Sequence, residues 1–585
     1  MKTKQKERFH KADLCVVGGR FAGMCTAIAA ARHGAKVLLM QDRPMLGGNA
    51  SSEIRMAVGG ARGVRETGLV GEICIENMWR NPERNYSLWD SVMWEKVKFE
   101  LNIELLLNCS CVDLQMKSET EIESVRGWQL TTYTWHTVRA TYFADCSGDS
   151  VLAPLCGAEF TAGREARAEY QEDIAPEQAD AQTMGNSCLL QMREYDRPIP
   201  FRAPFWAESI SKSQLGGDRA YDPSQLGENW WWMELGGTRD TIYDAEEIRD
   251  DLLKLVFGVV DFVKNKDDEH DNSRWGVDWI GFLPDKRESR RYIGDYVLTQ
   301  NDVRAKGRLP DLVAYGGWSM DDHHPEGFRY SGPPTIYHPA PSPYGIPYRC
   351  LYSKNMDNLL FAGRNISVTH TALSSSRVIA TCAVLGTAAA LCVKYGLTPR
   401  GVYQEKLQEL QQTLLWDDAY LPFHTREISP LTREAEISAP SGDVEQLRSG
   451  IDRETPEGEH KWVGNLGDAI VFQFDGPRQV RGLRFVFDSD LRRETISDDP
   501  VRRKSAMNCN IALGDNSARF PQTMLRAYRV EARNAEGNWQ TVLERQDNHQ
   551  RLVVHDLEVQ TDAVRITPLK TYGAQTAQIF AIDVL

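Results

Sequence analysis

DLCVVGGRFAGMCTAIAAARHGAKVLLMQDRPMLGGN, residues 13–49, decides how the rest of the chain is read. Leu14–Val17 is an apolar run that stops at glycine, Met24–His33 is Ala-rich and helical in composition, and Lys36–Met40 is a second apolar run. Strand, tight turn, helix and strand make one βαβ unit, whose turn is placed to rest a dinucleotide pyrophosphate on the free N–H groups at the helix start. Gly18 bends the chain off the strand and Gly23 lets the helix close on the sheet. Two positions depart from the G-x-G-x-x-G pattern. Arg20 stands where the middle glycine admits the pyrophosphate, with Gly19 and Ala22 near it, and Gln41, followed by Asp42 and Arg43, stands where an acidic residue takes ribose hydroxyls. An amide still bonds a hydroxyl, and an arginine still pairs with a diphosphate.

Further motifs follow in order: Gly47-Gly48-Asn49 after the second strand, ADCSGD (Ala144–Asp149) closing another apolar strand, and LLFAGRN (Leu359–Asn365) before a long Ala-rich segment. The set resembles the FAD-dependent oxidoreductases of the glutathione-reductase-like superfamily, in particular a bacterial family associated with carbohydrate use, and the resemblance covers Lys11–Tyr395. It implies FAD bound by Gly18, Gly19, Arg20, Ala22, Gly23, Gln41, Asp42, Arg43, Gly47, Gly48, Asn49, Ser51 and Ser52. It adds the backbone of Val112 beside the adenine, then Asp145, Gly148 and Asp149, then Gly363, Arg364 and Asn365. A helix starting near Ser374–Arg377, with Ser375 and Arg377 in it, is expected to point its positive end at the flavin. Glu53 and Arg55 are expected on the substrate side, or else paired with each other in a loop.

The chain of 585 residues exceeds one hydrophobic core, and an apolar fraction of 42% is enough to build several domains. A net charge of −14 argues against nucleic-acid or anionic-membrane partners. The charged start MKTKQKERFHKAD lacks the apolar stretch of a signal peptide, and Val378–Val393 is too short and too rich in Thr, Gly and Ala to span a bilayer. A cytoplasmic protein is expected. Twelve scattered cysteines, with no CxxC and only Cys109 and Cys111 close together, fit reduced buried thiols with neither a metal site nor a redox disulfide.

Along the chain, Trp89–Leu101 reads as a helix, Ile103–Val112 as a strand and Arg126–Tyr142 as a hairpin. From Gly157 to His338 the βαβ logic lapses, as an inserted α+β substrate domain would make it. There Asn229–Glu234 alternates as a strand, putting Trp230, Trp232 and Glu234 on one face, where they serve either as a sugar-stacking platform with a carboxylate or as ordinary packing. Asp244–Lys264 is an amphipathic helix, and Lys286–Tyr292 (KRESRRY) is an ionic run expected to be partly buried. Asp321-Asp322-His323-His324 holds the only His-His pair. Neighbours in an extended chain face opposite sides, so a general base supported by a carboxylate is the better reading than a metal site. His370 is the third candidate base.

Gly401–Leu415 reads as a helix, and after Pro422–Pro430 the pattern changes to short alternating strands at Ile470–Phe474, Gly482–Phe487, Ala527–Ala532, Gln540–Leu543 and Ala563–Thr567. They suggest an antiparallel sandwich that resembles the discoidin or galactose-binding-like fold, serving folding and assembly or glycan binding. The expected class is therefore α/β: a Rossmann-type FAD-binding domain over 1–156 and 341–425, a substrate domain over 157–340 and an all-β sandwich over 426–585. The leading function is oxidation of a secondary alcohol of a sugar or glycoside by hydride transfer to flavin, with histidine as base. Two alternatives stand beside it: reduction of an activated double bond, with Arg55 or Arg290 as the acid, and a non-redox carbohydrate-binding protein with a degenerate flavin domain. A small-molecule substrate, an unidentified electron acceptor and a homo-oligomer complete the expected partners.

Overall fold

The computed structural model describes residues 5–225, 230–376, 384–494, 507, 510–514 and 517–585. They form two compact units, one from 1–64, 83–411 and 497–517, the other from 65–82, 412–496 and 518–585.

In the first unit the apolar run before Gly18 is the end of β1 (Lys6–Val17), followed by α1 (Phe21–Arg32) and β2 (Val37–Met40). The Ala-rich α1 is buried along almost its whole length, because methyl-sized side chains let it close on the sheet. β3 (Ile103–Leu106) pairs with β2, and β6 (Thr134–Asp145) with β1, all parallel. β6 divides its length: its first half pairs antiparallel with β5 (Ile122–Gln129), which pairs in turn with β4 (Cys109–Met116). Its last residues pair parallel with β10 (Leu359–Phe361). Val17, Met40, Asp145 and Phe361 consequently end level, and the motifs Gly18, Gln41, Cys146–Asp149 and Ala362–Asn365 emerge from one edge.

The inserted part is held by a core built on α2 (Ala245–Asp261), which continues as a π-helical turn over Phe262–Lys266. Against it lie β7 (Leu190–Glu194) and β8 (Trp275–Ile280), an antiparallel pair, while β9 (Met320–His323) pairs with Thr335–His338. Asn510 and Ile511 join this unit: Ile511 bridges to Arg193, and the buried Asn510 amide accepts from Met192 N–H at 2.9 Å and donates to Pro223 O at 3.1 Å.

In the second unit, β11 (Glu436–Ser438), β12 (Trp462–Asn465), β13 (Ile470–Phe487), β14 (Leu525–Arg533), β15 (Trp539–Arg545), β16 (Leu552–Thr571) and β17 (Thr576–Val584) form an antiparallel array. Its order is β12-β17-β13-β16-β14-β15, with β11 on β13. Irregular register at Gln473–Arg478 and Val480–Gly482 lets the long β13 serve two parts of this sandwich-like domain. Phe472, Phe485, Tyr528, Ile566 and Ile579 fill its core, joined by Ile75 and Met78 of the helix Gly68–Arg80.

Several expectations are corrected. Ile103–Val112 is not one strand: it breaks at Asn108 (φ 53°), and Val112 is the extra residue of a bulge in β4, 48% exposed rather than at a strand end. Of Asn229–Glu234, Asn229 lies outside the described residues, Trp230 sits in a turn at φ 57°, and only Glu234–Leu235 is strand. Trp230 and Trp232 are fully buried packing, with the Trp232 indole N–H donating to Ala220 O at 3.1 Å, so they offer no sugar platform. Gly401–Leu415 is broken into Pro399–Glu405 and Leu407–Trp416. No helix among the described residues is long and apolar enough to cross a membrane.

Candidate functional site

At the end of β1, Gly18 has φ +98°, and a Cβ there would stand 2.6 Å from the Cys146 carbonyl, while one on Gly23 would stand 1.9 Å from Gly18 O. The turn thus lies directly on the ADCSGD loop and under α1, which only glycine permits. Arg20 precedes α1, and its alkyl stem lies over Gly48 (φ +59°), where a Cβ would stand 2.7 Å from Arg20 Cγ. The bulk expected to crowd the backbone at position 20 is therefore received by a glycine of the second motif.

Gln41 does something other than present its amide to a ribose. It is buried, accepts from Gly19 N–H at 2.7 Å and donates to Met45 O at 2.9 Å, tying the two glycine loops together. Asp42 is exposed, 3.7 Å from Arg43. Arg43 and Glu53 line an open cleft of about 430 Å³ with Glu246, Arg249, Trp279 and Phe282. Burial lifts the Glu53 carboxyl above its ordinary value, partly offset by Arg43 and Arg20. Ser51 Oγ donates to Gly48 O, and Ser52 N–H to Asp90. Arg55 is held at φ 65°, its guanidinium between the Tyr86 and Trp279 rings at 4.6 and 4.4 Å, donating to Gln191 and lying 4.0 Å from Asp278.

The Asp145 carboxylate is wholly engaged inside the protein, accepting from Ser147 N–H (2.9 Å) and Oγ (2.6 Å), Leu152 N–H (3.0 Å) and Tyr292 OH (2.7 Å). Asp149, in contrast, is the centre of a cationic cluster. Arg364 Nη2 lies 2.6 Å and Lys286 Nζ 3.1 Å from it, with Ser289 Oγ donating at 2.7 Å. Burial opposes its charge, but Arg364, Lys286 and Arg20 together hold its pKa far below the usual carboxylate range. Gly148 gives the Arg364 guanidinium room, since a Cβ there would stand 2.6 Å from Nη1. Asn49 donates to Asp285 and to Lys286 O, and Asn365, which follows Gly363 and Arg364, donates to Asp145 O. Among the described residues Asn49 Oδ1, Asn365 Oδ1 and Arg364 Nε are buried without hydrogen-bond partners.

α3 (His370–Ser376) begins earlier than expected, so Ser375 is interior, accepting from Tyr344 OH at 3.0 Å, and Arg377 lies outside the described residues. Its first amide, His370 N–H, is taken by Glu165 at 2.9 Å, which corrects the expectation of a free positive helix end at Ser374–Arg377.

The candidate bases separate clearly. His323 Nδ1 is 2.6 Å from Glu234 Oε2, and His370 Nδ1 is 2.8 Å from Glu288 Oε2. Both rings and both carboxylates are buried. His324 instead stacks on Tyr330 with ring centroids 3.6 Å apart. Asp321 and Asp322, expected to support the pair, are turned elsewhere: Asp321 accepts from Trp318 and Ser319, and Asp322 faces His338 at 4.0 Å. Arg290 donates to Tyr243 OH at 3.1 Å, beside the rings of Tyr243 and Phe160. Glu288, Arg291 and Lys286 were missed as site residues, because a charge run carries no mark of which members are buried; an acid enclosed by basic residues was the available signal.

The family described as FAD dependent oxidoreductase matches residues 13–414. No curated protein sequence matches the chain. Solved structures similar to part of it include the family 32 carbohydrate-binding module of Streptococcus pneumoniae EndoD, 13% identical, covering 27% of this chain and 99% of that one with a TM-score of 0.21. Another is the family 32 module of C. perfringens NanJ in complex with galactose, 12% identical, covering 26% and 95% with a TM-score of 0.19.

Proposed function

From the premise that this chain belongs to the FAD dependent oxidoreductase family, we propose that it binds FAD on a Rossmann-type half and oxidises a secondary alcohol of a sugar or glycoside. The residues fit a dinucleotide. Gly18 and Gly23 let the turn close tightly under the start of α1, where a pyrophosphate can rest, and Arg20, Lys286 and Arg364 gather positive charge suited to a diphosphate. Asn49 Oδ1, Asn365 Oδ1 and Arg364 Nε are a buried acceptor pair and donor awaiting hydroxyl and oxygen partners. When bound, FAD supplies a two-electron acceptor for the hydride that leaves the carbinol carbon.

The observation that carries the alcohol reading is the pair of imidazole–carboxylate contacts, His323–Glu234 and His370–Glu288. A carboxylate on Nδ1 fixes the tautomer that leaves Nε2 as proton acceptor, and stabilises the imidazolium as it forms. Reduction of a double bond with arginine as acid is less well supported, since Arg290 is engaged by Tyr243 and Phe160. The purified protein is expected to be yellow and to bleach anaerobically with a member of a panel of methyl pyranosides. A colourless protein that FAD does not reconstitute overturns the reading in favour of a binding protein.

A further inference from the structure

Glu234 and Glu288 are not independent supports. Gly185 N–H donates to Glu234 Oε1 at 2.6 Å and Met184 N–H to Glu288 Oε2 at 2.9 Å, so consecutive amides of one extended segment hold both carboxylates. Each carboxylate then meets one histidine and one arginine: Glu234 has His323 and Arg287 (3.6 Å), Glu288 has His370 and Arg291. His323 ends β9 and His370 opens α3, and these two elements pack on each other. No hydrogen bond joins either Nε2 to another described residue; the recorded contacts are through Nδ1.

The surroundings of the two rings differ in charge. His323 meets Glu234, with Arg287 against the same carboxylate and the Trp231 ring edge-on at 5.4 Å. His370, whose backbone N–H is taken by Glu165, faces the carboxylates of Glu288 and, from β9, Asp322, with Arg291 opposing them. Burial disfavours the His370 imidazolium, yet these carboxylates outweigh it and the group titrates above its ordinary value.

We propose, resting on the alcohol-oxidising reading above, that the two histidines are an unlike pair: His323 Nε2 accepts the proton of the reacting hydroxyl, and His370 Nε2–H donates to an adjacent hydroxyl. The substrate class is then a vicinal diol, as on a pyranose ring, and the product an α-hydroxyketone. In the step, the O–H and C–H bonds of one carbinol break and its C=O forms. The proton goes to His323, and bound FAD would supply the two-electron acceptor for the hydride that leaves with its electron pair. Glu234 and Glu288 are positioning residues.

The test uses the holoenzyme with three probes: a methyl pyranoside that bleaches it and two of its monodeoxy analogues, each lacking one hydroxyl flanking the oxidised carbon. Wild type is expected to favour the diol over one analogue by at least tenfold in bleaching at low substrate. His370→Gln should shrink that preference, slowing the diol by more than it slows the analogue, and His323→Gln should slow bleaching with all three on the order of a hundredfold. Imidazole NMR titration of the same proteins gives a second readout: His370 should titrate above the ordinary histidine value, and Glu288→Gln should lower it. A preference absent from wild type, or unaffected by His370→Gln, or a His370 that titrates at or below the ordinary histidine value, overturns the unlike pair while the alcohol reading stands. If no pyranoside bleaches the wild type, the alcohol reading itself fails, and the pair with it.

Discussion

Each unit buries a cluster of paired charges, and the clusters differ in one respect that separates chemistry from support. In the second unit Arg426 meets Asp452 at 2.9 Å and Asp583 at 2.8 Å, Arg484 meets Asp452 at 3.1 Å, and Arg551 meets Asp418 at 2.7 Å. Every cation there is a guanidinium, which keeps its proton at any working pH, and the arginines also donate to the backbone, Arg484 to Trp416 O and Arg551 to Phe487 O. That cluster fixes chain segments and contains no imidazole. In the first unit the carboxylates Glu234 and Glu288 each hold an arginine and an imidazole, and neither imidazole's second nitrogen is hydrogen-bonded to another described residue. Buried charge therefore does not mark a site; a titratable partner with one valence unused does.

The largest expected effect breaks the arginine cluster. Arg551→Ala strands Asp418, whose carboxyl burial already lifts above its ordinary value, and should lower the stability of the second unit by about 3–5 kcal/mol. Denaturant unfolding measures that loss, and anaerobic bleaching of the folded holoenzyme should keep its wild-type rate. A slowed rate with an unchanged unfolding midpoint would reverse the assignment of the two clusters.

What the sequence revealed of these regions follows from how local each constraint is. The need for Gly18 and Gly23 is set by the few residues around one turn, so the βαβ unit was readable from its glycines. Gln41 was not, because whether its amide faces a ribose or Gly19 N–H depends on the path of a loop 22 residues earlier. The KRESRRY run hides its burial in the same way: Glu288 and Arg291 are enclosed by distant segments, among them Glu165, 126 positions away from Arg291, which accepts from its guanidinium. Sequence neighbours even misled for His323. Asp322 lies beside it in the chain but on the other face of β9, and the working carboxylate arrives from Glu234.

A smaller effect is expected where the first unit relies on residues 497–517. Asn510→Ala removes the acceptor of the buried Met192 N–H, which belongs to β7, the strand that also carries Gln191 against Arg55. A stability loss of about 1–3 kcal/mol should follow. Truncation before Pro430 removes this segment along with the sandwich, and should yield poorly soluble protein. A truncated chain that stays monodisperse, bleaches normally and loses only polysaccharide binding would show that the C-terminal region serves glycan recognition instead.

The smallest effect distinguishes the clusters by pH alone. His370 titrates above its ordinary 6.5 in the folded protein, burial being outweighed by Glu288, so its contribution to stability is complete below about 6.5 and is lost as the pH rises through the folded-state value. Glu288, held below its ordinary 4.5 against burial by His370 and Arg291, contributes above that value and loses its contribution as the pH falls. Both contributions are therefore complete only between those ordinary values, and on the alkaline side it is the histidine that lets go. The stability gap between wild type and His370→Gln should narrow from pH 6 to pH 9, whereas the gap between wild type and Arg551→Ala should hold or widen, since no guanidinium titrates there and the stranded, buried Asp418 favours its protonated form at the lower pH. Urea unfolding of the three proteins at several pH values measures both gaps. A level gap for His370→Gln would mean that the imidazole sheds no proton while folded, and the contrast between a cluster with a titrating imidazole and one without would have to be abandoned.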